Sequence, residues 1–403
     1  MQIPRFVTLV LGGIFLGVLV AYFVSIQVQT PNSPRPMSGV TTTSVNALNP
    51  SEPLEPIERT DSAVDLATSE QAPPPLVTSS QITSGELATT TNTATQYVVL
   101  AFDGSRSIDM WKETQRFAKE MTEQGAPVHF TYFINAVYLL AWQHRDFYHP
   151  PQHATGSSPI GFASSEKDVA NRLEQMNAAL DNGHEIGCHL TGHFNGSTWS
   201  EAEWRQEFKS FFDIIGRVSE LNHLETEPVE RRGLNMGKEG FTGFRAPELG
   251  VNKHLWPVLK DYKFQYDTSL TDKPGVWPSR RAQGMWEFPL TRIKFAGSST
   301  SSLLSMDYNF YFKQSKAIEA ATRGTPLWDE YYTQVLTSYR DYFNQSYQGN
   351  RAPIFIGHHF SLWNDGVYWE AMKTFAREVC SKPNVKCTTY KDVMKDLNKQ
   401  AIQ

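Results

Sequence analysis

From about Thr95 onward, short apolar runs that end in chemically capable residues alternate with helical stretches, and this alternation leaves few folds open. Tyr97 to Phe102 stops at Asp103-Gly104-Ser105, and His129 to Ile134 stops at Asn135. Glu185-Ile186-Gly187-Cys188 delivers His189, and Gly243-Phe244 leads into Arg245-Ala246-Pro247. Pro353 to Gly357 is the last apolar strand expected, ending at His358-His359. Between the runs, helices are expected over Trp111–Gln124, ended by Gly125, and over Lys167–Asn182. Two more are expected over Glu201–Leu221, with Ser200 as N-cap, and over Asn252–Asp261. Strand and helix in alternation predict a mostly parallel sheet with helices outside. Chemistry in such folds gathers at the C-terminal ends of the strands, where Asp103, His189, His193 and His359 would all lie.

His189 and His193 stand four residues apart, so both imidazoles can reach one ion on a turn of helix or in a tight loop. Spacing alone fits an ordinary packed pair equally well; their company at the strand ends distinguishes them. Other residues have plain structural readings. Asp103 before Gly104 suits a turn, Arg245 suits a salt bridge, and His184 suits a structural hydrogen bond. His144, His149 and His153 share a Pro-containing loop without regular spacing and read as solvated or substrate-facing rather than as a second metal site. Trp277, Trp286 and Trp363 suit a glycan groove or a core, and Glu287 and Asp307 receive no role from sequence. No G-x-S-x-G occurs, and Cys188, flanked by apolar and His positions, suits packing better than nucleophilic catalysis.

The 403 residues carry a net charge of −5, with no basic stripe to favour nucleic acid. Phe6 to Ile26 is uncharged and mostly apolar, preceded by Arg5, and long enough to cross a bilayer as a helix. No A-x-A cleavage site follows, so residues 1–26 are expected to be a cytoplasmic tip and uncleaved signal anchor. Residues 27–94 are rich in Ser, Thr and Pro, with no sustained apolar period, and are expected to form a disordered linker. The folded domain, 95–403, would then be single-pass anchored and extracytoplasmic, in the periplasm or at the cell surface. Cys380 and Cys387 bracket a loop-like stretch and can close a short disulfide in an oxidising compartment.

The order Phe102-Asp103, Gly183-His184-Glu185-Ile186, His189-x3-His193, Arg245-Ala246-Pro247, Asp267-Thr268-Ser269 and His359 resembles the NodB-like polysaccharide deacetylases, carbohydrate esterase family 4. Tyr266, Trp286-Glu287-Phe288-Pro289 and Asn350-Arg351-Ala352-Pro353 make it most like the chitin deacetylase-like branch. The resemblance spans roughly Tyr97 to Asn398. It implies an α/β fold of the deformed (β/α) TIM-like barrel type and metal-assisted removal of N-acetyl or O-acetyl groups from an acetylated polysaccharide. On this resemblance His189 and His193 bind a divalent metal, of which Zn²⁺ suits the donors best. Asp103 is the base, Arg245 orients it, and His359 is the acid, with His358 its alternative.

The family pattern has two consecutive aspartates, a base followed by a metal ligand. Here Gly104 occupies the second position. Three readings are open: Asp103 is itself a ligand; the third ligand comes from Asp109 or water; or the protein binds glycan without cleaving it.

Overall fold

The computed structural model describes residues 94–281 and 284–400; the expected anchor and linker lie outside them. Among the described residues no helix is long and apolar enough to cross a membrane. Twelve strands are described in chain order. They are β1 Gln96–Asp103, β2 Thr131–Ile134, β3 Glu185–Cys188, β4 Gly243–Phe244, β5 Tyr266–Asp267 and β6 Thr271–Asp272. There follow β7 Ser279–Arg280, β8 Trp286–Glu287, β9 Leu290–Lys294, β10 Ser302–Leu304, β11 Ile354–His359 and β12 Val385–Cys387. The helices are α1 Ile108–Glu123, α2 Glu166–Asp181, α3 Glu201–Gly216, α4 Val218–Leu221 and α5 Val229–Arg232. They continue with α6 Leu255–Asp261, α7 Asp307–Ser315, α8 Pro326–Gln348, α9 Trp363–Val379 and α10 Tyr390–Gln400.

The main sheet runs β11-β1-β2-β3-β4-β5-β8-β7, with β12 beside the start of β1. Its pairs are parallel except β7 with β8. A second sheet, β10-β9-β6, meets the far edge: Gly357 N–H donates to the Ser305 carbonyl (2.9 Å). The sheet therefore curls into a partial barrel with helices outside, which fits the deformed TIM-like architecture.

Alternation along β1 divides the interior. Val98, Leu100 and Phe102 join the layer under the helices, whereas Tyr97, Val99 and Ala101 line the inner face with Phe133, Tyr266, Phe288 and Phe355. Tyr390, Val393, Met394 and Leu397 of α10 pack into the same inner cluster. At roughly 25 cal/mol per Å² of buried apolar surface, these two layers dominate stability.

Element ends differ from the sequence expectation for local reasons. Ser107 caps α1, accepting from Met110 N–H, so the helix starts at Ile108 rather than Trp111. The continuous helix expected over Glu201–Leu221 breaks at Arg217, directly after Gly216, a poor helix former. Ser200 does cap α3, in a capping box with Glu203. The strand ending at His359 is not the last, since β12 follows it. Cys387 of β12 is disulfide-bonded to Cys380, and Cys188 is free and buried.

Candidate active site

Asp103 ends β1 on the inner face and lies level with His359 of β11 and Phe133 of β2. Its partner is Arg245, whose Nη1 donates to Asp103 Oδ1 at 2.6 Å with both side chains buried. The guanidinium sits over the Phe133 ring (4.4 Å), and its Nη2 donates to the Tyr390 hydroxyl (2.9 Å). Gly357 packs against it: a Cβ there would lie in ordinary contact with Arg245 Nη1 (3.5 Å) and crowd the Met306 side chain (3.1 Å). Burial alone would raise the Asp103 pKa, but Arg245, with His189 and His359, holds the carboxyl below its usual range.

The segment after Arg245 is pinned by the Asp-Thr-Ser motif. Ala246 N–H donates to Ser269 Oγ, which donates to Asp267 Oδ1. Asp267 pairs across strands with Glu287, which burial and this neighbouring carboxylate push up to about 9. The two motif carboxyls thus serve the scaffold.

His189 follows β3, and its Nδ1 bonds the main-chain carbonyl of Arg245 at 2.8 Å. A carbonyl only accepts, so Nδ1 carries the proton and Nε2 keeps its lone pair for a ligand. Burial lowers this imidazole to about 3, against the pull of Asp103, so the ring is neutral. His193 lies edge-on to it, with ring centroids 5.0 Å apart, and burial lowers its pKa too.

The intervening loop adopts left-handed φ at Leu190 (60°) and His193 (63°). Glu207 of α3 anchors it. This buried carboxylate accepts from the N–H groups of Thr191 and Gly192, both at 3.0 Å, and from the Tyr148 hydroxyl at 2.8 Å.

His359 and His358 part company by strand alternation. His358 turns with Phe102 toward the helices, where its Nε2 bonds the Tyr339 hydroxyl at 2.9 Å. The structure does not bring it into the cluster, and burial lowers its pKa to about 4 despite Asp307. His359 shares the inner face with Asp103 and keeps 28% side-chain exposure. Asp307 grips it twice: Oδ1 accepts from His359 Nδ1 at 2.6 Å and Oδ2 from its backbone N–H at 2.9 Å. Burial opposes the charged ring, but Asp307, helped by Asp103, raises the His359 pKa above the ordinary value.

Sequence reasoning gave Asp307 and Glu207 no role; each acts across a tertiary contact, 52 and 15 or 16 residues from its backbone partners. His184 accepts from Phe130 N–H and makes the structural bond expected of it. Beside His359 stand Trp363 (ring centroids 5.4 Å) and Tyr308 (6.2 Å), the latter exposed and edge-on to Trp363. Trp277 and Trp286 lie elsewhere, bonded to Asn350 and Asn398.

Gly104 has φ 77° and nothing within 4 Å of where a Cβ would be. The carboxylate the family pattern places here is absent, and no neighbour fills its space. Two neutral imidazoles fit a divalent ion, and Asp103 is the carboxylate at hand. Even so, the trio of described residues whose ligand atoms all lie within 4.8 Å is His144, Glu166 and His223, not this one. A cavity of about 300 Å³, lined by Lys260, Arg280, Trp286 and Asn398, lies by the inner cluster's α10 end rather than at Asp103.

No family profile matches the chain, and no curated protein matches it. Solved carbohydrate esterase family 4 structures are similar to it. A probable polysaccharide deacetylase from Pseudomonas aeruginosa PAO1 matches at TM-score 0.44 and 14% identity, covering 75% of this chain and 91% of that one. A family 4 carbohydrate esterase from Streptomyces lividans, in complex with acetate, matches at TM-score 0.36 and 14% identity, covering 73% and 91%. BA3943 of Bacillus anthracis, a family 4 pseudoenzyme, matches at 0.38 and 10%, covering 75% and 66%. At these values the likeness carries no argument about chemistry, which rests on the residues above.

Proposed function

We propose that this chain is a hydrolase that removes acetyl groups from an acetylated polysaccharide, with a divalent metal, zinc by donor type, held by His189 and His193. The observation that carries the reading is the facing pair at the strand ends: Asp103, kept ionised by Arg245, level with His359, kept protonatable by Asp307. A base and an acid with pKa values driven apart are what amide hydrolysis needs.

When bound, the ion would polarise the acetyl carbonyl and acidify the attacking water. Arg245 occupies Oδ1 of Asp103 and leaves Oδ2 to accept the water's proton. His359, whose protonated form Asp307 stabilises, gives a proton to the leaving nitrogen as the C–N bond breaks, yielding acetate and a free amine. For an O-acetyl group the same proton goes to the leaving oxygen. Tyr308, exposed beside His359 and backed by Trp363, offers an aromatic surface for a sugar. The N-terminal apolar run and linker, together with the Cys380–Cys387 disulfide, support an anchored, extracytoplasmic setting.

A second reading is favoured by one observation, the missing carboxylate at Gly104: a fold that binds glycan without cleaving it. Acetate release from acetylated chito- and xylo-oligosaccharides by the full-length protein in Zn²⁺ separates the two. Release abolished by Asp103→Asn supports the hydrolase. Oligosaccharide binding with no release from the wild type supports the binder.

A further inference from the structure

A second cluster of ligand-type side chains lies outside the Asp103–His359 site and is independent of the reading above. His144 belongs to the 3₁₀ turn Trp142–Phe147, Glu166 opens α2, and His223 follows α4. One ligand atom from each lies within 4.8 Å of the other two. His144 Nε2 is 2.7 Å from Glu166 Oε1, and the two imidazoles stand edge to face with centroids 5.2 Å apart.

Their backbones are held together by groups that owe nothing to an ion. Asn222, buried beside His223, accepts from Ala141 N–H (2.8 Å) and donates to the carbonyls of Leu139 (3.0 Å) and Val218 (2.8 Å). Trp142 N–H donates to the Ala163 carbonyl, Ala163 N–H returns to Leu140, and Ser165 caps α2 one residue before Glu166. The three ligand positions are therefore preorganised, which lowers the cost of gathering them around an ion.

A plain His144–Glu166 ion pair accounts for two members but not for the third. His223 has φ 52°, a conformation that Gly or Asn adopts more easily, so the turn itself does not need an imidazole. Exposure of 25% for His144 and 33% for Glu166 leaves a solvent route to the cluster.

We propose that His144, Glu166 and His223 form a second divalent-cation site of zinc type, with three protein ligands and an open position for water. Two imidazoles and one carboxylate match borderline ions such as Zn²⁺, and disfavour Ca²⁺ and Mg²⁺, which take all-oxygen sets. The ion joins the Ala136–Ala163 loop to α2 and α4. That loop supports the histidine loop of the first site, because Ala136 and Val137 N–H donate to the carbonyls of Leu190 and Thr191. The second ion is thus a clamp on the loop that is bonded to the first site's histidine loop.

The test counts zinc by mass spectrometry on full-length protein stripped by chelator and equilibrated at micromolar free Zn²⁺. His144→Gln with His223→Asn, which keeps the left-handed turn, is compared with wild type and repeated in a His189→Ala/His193→Ala background. We expect one equivalent of zinc to be lost in both backgrounds, and zinc to raise the wild-type melting temperature more than the variant's. If the double variant fails to fold in chelator, Glu166→Gln replaces it, with Kd expected to rise at least about tenfold. An unchanged zinc count in both backgrounds, or an unchanged Kd for Glu166→Gln, overturns the site. Loss of zinc from His189→Ala/His193→Ala alone concerns the first site and is read separately.

Discussion

Glu207 offers the sharpest test of how the histidine loop is held. It is a buried carboxylate that orders the backbone between His189 and His193 from below. Glu207→Ala strands three buried donors: the N–H groups of Thr191 and Gly192 and the Tyr148 hydroxyl. An unsatisfied buried donor costs about 1–3 kcal/mol. Water entering the vacated polar space would take the low end, so the expected loss is about 3 kcal/mol or more. Glu207→Gln behaves differently. Its amide oxygen still accepts both N–H groups, and its NH₂ donates to the Tyr148 oxygen.

The two variants also differ in pH dependence. Burial raises the Glu207 pKa, although its donors pull the other way. A carboxyl raised above its unfolded value of about 4.3 contributes stability that is full below that pH and is lost as pH rises through the folded pKa. Glu207→Gln removes this slope, so its stability relative to wild type should improve from pH 4 toward neutrality. Urea unfolding of both variants at several pH values, with zinc affinity measured alongside, checks the argument. A glutamine variant as unstable as alanine, or an alanine variant with unimpaired zinc binding, would refute it.

Asp307→Asn removes the charge that raises the His359 pKa. The alkaline limb of kcat/KM should move to lower pH, and activity should fall by no more than the roughly 10²–10⁴-fold that general acid catalysis supplies. An unmoved limb would mean that His359 is not the acid. Gly104→Asp places a carboxylate in open space beside Asp103, so zinc should bind more tightly by calorimetry, while φ 77° costs about 1–2 kcal/mol in stability. Removing the Cys380–Cys387 bridge as paired serines should cost about 2.5 kcal/mol by loop entropy, read from urea midpoints.

Much of the architecture was legible because apolar runs have only one way to be buried on both faces. Strand β3 matches its expected span, and Asp103, His189 and His359 stand at strand ends because each run stops at a polar residue. His358 and His359 were inseparable in sequence; the register of β11 against β1 decides which one faces Asp103. Asp307 and Glu207 left no trace, since a helix-borne carboxylate reads as a solvated charge until a tertiary partner is known. The trio of His144, Glu166 and His223 was hidden similarly: its members are 22 and 57 positions apart along the chain, and the His-bearing loop read as solvated or substrate-facing.

The register of β11 beside β1 has a consequence for how the protein comes into being. Asp103 and His359 are neighbours in the sheet but 256 positions apart in the chain, and Arg245 also needs Tyr390. A ribosome adding about 5–20 residues per second makes the last of these tens of seconds after the first. Until residue 359 is made, β1, buried along its whole length in the finished fold, has no β11 beside it. β1 thus waits on the last eighth of the chain, and a truncation or stall before β11 would leave that edge bare for aggregation.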